Sequence, residues 1–158
     1  MSTQAIGAAA AGTAVIGGGG TLAAYAAGAF EREATYDSFQ AYFNAKLSKT
    51  HKYIGNDSDL KGKIKANLEG SNKDNYKKEL EKIIQQEGGT DVQEASVDGA
   101  ESNDSNLTKI SKKTKLWCEK TKDVKLTSND KKWNEGNVKS HENWTPFQTV
   151  CLEQKKPT

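Results

Sequence analysis

The chain has 158 residues, with 23 basic against 21 acidic side chains, two cysteines and two histidines. Such a length fits one compact domain, and two cysteines cannot by themselves complete a four-ligand zinc site. Only one of the bases, Arg32, is arginine, which counts against specific nucleic-acid recognition, because bidentate phosphate contacts favour arginine.

Charge is distributed unevenly. Met1 to Phe30 carries no charged side chain, and Glu31 to Lys82 carries 11 bases and 9 acids. Ile83 to Thr108 holds 6 acids and no base, whereas Lys109 to Thr158 holds 12 bases and 6 acids. A near-neutral chain therefore conceals an acidic middle and a basic C-terminal third. The organisation expected from this is residues 1–30 as a membrane anchor or signal segment and 31–87 as a helical subdomain. Residues 88–106 follow as an acidic flexible loop, then 107–158 as a cysteine-bearing subdomain.

The run from Ala5 to Phe30 is long enough for a spanning helix, which needs about 20 predominantly apolar residues. Glu31, Arg32 and Glu33 close it. It is mostly alanine and glycine, and Gly17 to Gly20 would loosen a helix. Gly20, Ala24 and Gly28 stand four apart, a spacing that lets two membrane helices approach closely and self-associate. The alternatives are a cleaved signal, with Ala27-Gly28-Ala29 as a small-x-small site, and a soluble or peripheral segment. No cysteine lies here, so lipid modification at such a residue is excluded. Arg32, Lys46 and Lys49 follow the segment and no base precedes it, which by the positive-inside rule places the soluble domain in the cytoplasm. Gly18, Gly20 and Ala23 match the order of a dinucleotide-binding turn. The stretch after Phe30 reads as helix rather than strand, so that reading fails.

Beyond the segment, Tyr36, Phe39, Phe43 and Leu47 mark one face of a helix. Leu60, Ile64 and Leu68 mark a second, with Ser58 as N-cap and Gly70 closing it. A third is expected from about Asn75 to Gln86, with Tyr76, Leu80, Ile83 and Ile84 inward and Gly88-Gly89 ending it. Gly88 to Asn106 is acidic, small and without aromatics, and is expected to be a disordered or weakly ordered loop. Leu107, Ile110, Thr114 and Trp117 predict a fourth helix that ends near Cys118. A polar stretch from Glu119 to Asn143 follows, in which Trp133 stands out. Thr145-Pro146-Phe147-Gln148 then reads as a capped helix start, with Thr145 as N-cap and Pro146 at the first helical position. Trp144, Phe147 and Cys151 share its face; a strand through Thr149 to Leu152 is the alternative. The fold class is thus mainly α, an N-terminal transmembrane or signal helix followed by a small helical domain with an acidic loop.

Each cysteine lies on or beside the aromatic face of a predicted helix. Packing those faces brings Cys118 and Cys151 together, so a disulfide is expected if the domain is exported. His51 and His141 sit in polar stretches and are expected to be solvated.

At Leu116-Trp117-Cys118, with Trp144 and the later Cys151, the chain resembles the paralogous families of uncharacterised proteins in hemotropic mycoplasmas. Those proteins join an alanine-glycine-rich membrane segment to lysine-rich helices, a Trp-Cys pair and a second C-terminal cysteine. The resemblance covers the layout of the whole chain. It implies a cell-membrane, surface or exported protein of antigenic or interaction type, with its soluble domain extracellular. It supplies no catalytic residues. The expected partners are the membrane and a host-cell surface component, with no cofactor, no metal and no specific nucleic acid.

Three classes of function follow. The leading one is a non-enzymatic, membrane-anchored interaction protein. A second is a cationic domain that binds nucleic acid or an anionic membrane through its basic third and Trp117, Trp133 and Trp144. A third is a cysteine-dependent enzyme using Cys118 or Cys151 with His141 as base.

Overall fold

A computed structural model describes residues 33–88, 96–128 and 131–156. The chain divides into two units, Met1–Ala34 and Thr35–Thr158. The expected N-terminal helix, and with it the Gly20, Ala24 and Gly28 face, lies outside the described residues. Among those that are described, no helix is long and apolar enough to cross a membrane.

The second unit is mainly helical, and two small sheets that the spacing pattern did not suggest tie its ends together. Strand β1 (Thr35–Tyr36) leads into α1 (Phe39–Tyr42), which continues as a π-helical turn (Phe43–Leu47). Ser38 starts α1: its backbone is extended, and its hydroxyl accepts the Ala41 N–H at 3.1 Å. That bond satisfies one of the four amides a helix start leaves unpaired. Tyr36, expected on the same helix, is therefore in a strand. Its ring still meets Tyr42 edge-on, with centroids 4.9 Å apart.

Next come β2 (His51–Tyr53), α2 (Leu60–Glu69) and α3 (Lys73–Glu87). Leu60, Ile64 and Leu68 are buried on α2, as their spacing of four requires. The residue at its N-cap is Asp59, one position beyond the expected Ser58, and Gly70 ends the helix. On α3 the buried face is Tyr76, Leu80, Ile83 and Ile84, together with Glu79. Gly88 follows at φ 53°, a left-handed value that glycine adopts without a Cβ penalty.

The acidic segment departs from expectation where it is described. Ser96 to Asn106 is folded: Val97 and Ala100 are buried, and Ala100–Ser102 forms a 3-10 turn. Helix α4 (Asp104–Lys122) begins inside the expected loop, because the Asn103 side chain caps it by accepting the Asn106 N–H at 3.0 Å. Composition alone gave no weight to two small apolar side chains that the neighbouring helices could cover. At its other end α4 runs a turn beyond the expected stop at Cys118, burying Thr121.

The polar stretch after Cys118 also contributes to the core. Leu126 and Val138 are fully buried. Strands β3 (Thr127–Ser128) and β4 (Lys131–Asn134) pair antiparallel, and β4 pairs with β1, giving the order β1-β4-β3. Trp133 lies opposite Tyr36 in that register. Helix α5 (Glu135–Ser140) is capped by the Asn134 side chain. Helix α6 (Trp144–Pro146) follows and continues as a second π-helical turn (Phe147–Cys151).

Here the expected N-cap, Thr145, is one residue inside the helix, and Asn143 occupies the cap. Pro146 remains in the first turn, where a missing N–H costs nothing. The strand considered for Thr149 to Leu152 begins only at Leu152: β5 (Leu152–Gln154) pairs antiparallel with β2, Tyr53 opposite Leu152. Helices α2, α3 and α4 pack pairwise. Ile64, Leu80, Ile110, Trp117 and Phe147 all belong to one hydrophobic core. The two helical portions expected on either side of the acidic segment are thus not separate bodies.

Candidate functional site

The chemistry of this unit gathers around the two cysteines. A disulfide joins Cys118, on α4, to Cys151, at the end of the second π-helical turn. Their Cα atoms are 5.8 Å apart, inside the range a disulfide needs. Both residues are fully buried.

The cysteines approach as expected, but the ring contacts beside Cys151 come from Phe39 and Tyr42 rather than from Trp117. Phe39 lies 5.4 Å from Phe147 and 5.3 Å from Trp144 between ring centroids, and Tyr42 meets Trp144 edge-on at 5.0 Å. Trp117 sits on the α3 side, where its indole N–H donates to Gln86 Oε1 at 2.7 Å. Buried indoles usually find such an acceptor. Its neighbour Leu116 points outward and is 56% exposed, so Leu116-Trp117-Cys118 is split between surface and core.

One segment crosses directly over the disulfide. The Ile54 N–H donates to the Cys151 carbonyl at 2.8 Å. Gly55 is packed so closely that a β-carbon there would fall 2.6 Å from Cys118 Cβ. The Tyr53 ring stacks near Phe147, and its hydroxyl donates to Glu119 Oε1 at 2.6 Å. Lys122 pairs with Glu119 at 2.7 Å and lies 5.3 Å from the Tyr53 ring centroid. Burial, reinforced by the Glu119 carboxylate, pushes the Tyr53 phenol well above its ordinary range. The Lys122 ammonium, then the Tyr53 hydroxyl, holds Glu119 below the usual carboxylate value.

A second polar group borders the β2–β5 pair. Glu153 bridges to Lys63 at 2.8 Å and to Lys52 at 3.0 Å, with Asp57 near both lysines. The Lys63 hydrogen bond lowers the Glu153 pKa, and the same contact raises that of Lys63.

His141 is not the solvated side chain the sequence suggested. It is half-buried, edge-on to Phe39 at 5.3 Å and tilted against Trp133 at 5.2 Å. Its Nδ1 accepts the Asn143 N–H at 3.1 Å, a role in closing the chain before α6. The enzyme reading required a thiolate on Cys118 or Cys151 beside this ring. Both sulfurs are instead bonded to each other, so no free thiol is present among the described residues. His51 is half-buried on β2 and contacts Thr50 Oγ1 at 2.8 Å.

A surface depression of about 200 Å³ lies where α3 begins, lined by Leu68, Lys73, Lys77, Val97, Asp98 and Glu101. Lys77 and Asp98 pair across it. Its lining charges are of both signs, which gives it no single ligand preference. No group of metal-ligating side chains occurs among the described residues. Comparison with protein-family models, curated proteins and solved structures finds no match to the chain.

Proposed function

We propose that the chain is a non-enzymatic surface protein, anchored or exported by its uncharged N-terminal segment. Its disulfide-tied, lysine-rich domain is displayed outside the cell to contact a host-cell surface component. The observation that carries the reading is the buried Cys118–Cys151 bond. Disulfides persist in oxidising compartments and are rare where thiol systems keep cysteines reduced. The bond therefore supports an extracellular domain against the cytoplasmic placement suggested by Arg32, Lys46 and Lys49. The polar outer faces of α2, α3 and α4 suit a solvated domain, and the resemblance to the hemotropic mycoplasma families supplies the host-contact element.

The test uses intact producing cells and two membrane-impermeant reagents. A protease should remove the domain, and a maleimide should label neither cysteine until a reductant is added. A domain protected from protease, with both thiols free after lysis under alkylating conditions, would overturn the proposal and favour the cytoplasmic orientation.

A further inference from the structure

The segment from Tyr53 to Gly55 lies against both cysteines and gives the core one buried side chain, Ile54. Tyr53 is only half-buried, yet its ring and hydroxyl span from Phe147 to Glu119, the residue next to Cys118. Ile54 holds the Cys151 carbonyl, and Gly55 lies on Cys118 Cβ with no room for a side chain. One face of the bond is thus closed by three consecutive residues rather than by a helix. Tyr53 anchors this strap twice, through the short β2–β5 pair and through its clasp with Glu119 and Lys122.

We infer that this strap is the gate to the disulfide: thiol exchange at Cys118–Cys151 proceeds by local opening of Tyr53–Gly55, with the rest of the fold intact. The inference does not depend on where the protein resides. A reductant thiolate attacks one sulfur, forming a mixed disulfide and releasing the other cysteine as thiolate. A second thiolate of the reductant then attacks the mixed disulfide. Both cysteines leave reduced, and the reductant leaves as its own disulfide. Attack requires in-line access to a sulfur, which the buried bond lacks until something moves. Short strand pairs and a surface clasp open at far lower cost than packed helices. In reverse, oxidation must occur before the strap closes or during its openings.

The experiment follows reduction of the purified full chain by dithiothreitol under native conditions, quenched with iodoacetamide and read by intact mass. Tyr53→Phe removes the hydrogen bond to Glu119. It should raise the reduction rate about tenfold, the range expected for losing a hydrogen bond to a charged group. Leu116→Ala, exposed on α4, serves as the control. The unsubstituted chain provides a second reading that needs no variant. Its reduction rate should rise with urea far more weakly than global unfolding does, because a local opening exposes little surface. A urea dependence equal to that of global unfolding would overturn the inference. So would reduction in native buffer as fast as in the urea-unfolded chain, or an unchanged rate in folded Tyr53→Phe.

Discussion

At the scale of single residues, the polar atoms buried without partners are informative. Thr114 lies fully buried on α4, and its hydroxyl takes no hydrogen bond. It falls at a position where the 3-4-3 spacing of Leu107, Ile110 and Trp117 calls for an apolar side chain. An unmet buried hydroxyl costs roughly 1–3 kcal/mol, whereas its isosteric methyl costs nothing. Thr114→Val is therefore expected to stabilise the domain by about 1 kcal/mol, measured as a higher urea midpoint at unchanged slope. A lower midpoint would mean that the hydroxyl has a partner in solution. Glu79 is the contrasting case: it is buried, yet both carboxylate oxygens accept from Lys82 at 2.9 Å.

At the scale of elements, the two sheets do what the helices do not. Each joins a strand from the first part of the unit, β1 or β2, to one from the C-terminal third, so local helix-forming segments are closed into a unit by non-local pairing. The β2–β5 pair brings Glu153 to Lys63 and Lys52, and this has a pH consequence. Glu153 in the folded chain titrates below its ordinary value of 4.5, chiefly through the Lys63 hydrogen bond. A carboxylate depressed on folding contributes stability that is present above the ordinary value and is lost as pH falls through the lower folded one. Glu119 behaves alike, through Lys122 and Tyr53. Stability should therefore fall with acid below about pH 4.5, and Lys63→Met should flatten that fall. Urea midpoints measured across pH 3 to 7 check this, and an identical acid limb in the variant would refute the assignment. Exposure and salt reduce the size of the effect, because the Glu153 side chain is 40% exposed.

At the scale of the whole molecule, the disulfide spans 33 positions and ties α4 to the last turn before β5. On the chain-entropy account, such a loop contributes about 3–4 kcal/mol by restricting the unfolded chain. That is a large share of the stability of a small domain. The double variant Cys118→Ala, Cys151→Ala should lose about that amount, read as a lower urea midpoint, while retaining its helical circular dichroism. A loss below about 1 kcal/mol would show that the core alone holds the ends together.

What the sequence determined by itself was the set of helices with regular apolar spacing, α2, α3 and α4, and the inward placement of both cysteines. Side chains three and four apart share a helix face whatever the rest of the chain does, so this information is local. The Asn103 cap is legible as a polar residue before Asp104, but the acidic composition around it favours a loop. Tertiary structure alone decided the rest. Tyr36 became a strand because Trp133, nearly a hundred residues away, offered a partner. Val97, Ala100, Leu126 and Val138 became core only because packed helices left space for them. His141 went among rings, and Gly55 was confined by Cys118, for the same reason. Burial of an isolated apolar residue, and pairing of a two- or three-residue strand, depend on surfaces supplied by distant segments, which periodicity along the chain does not record.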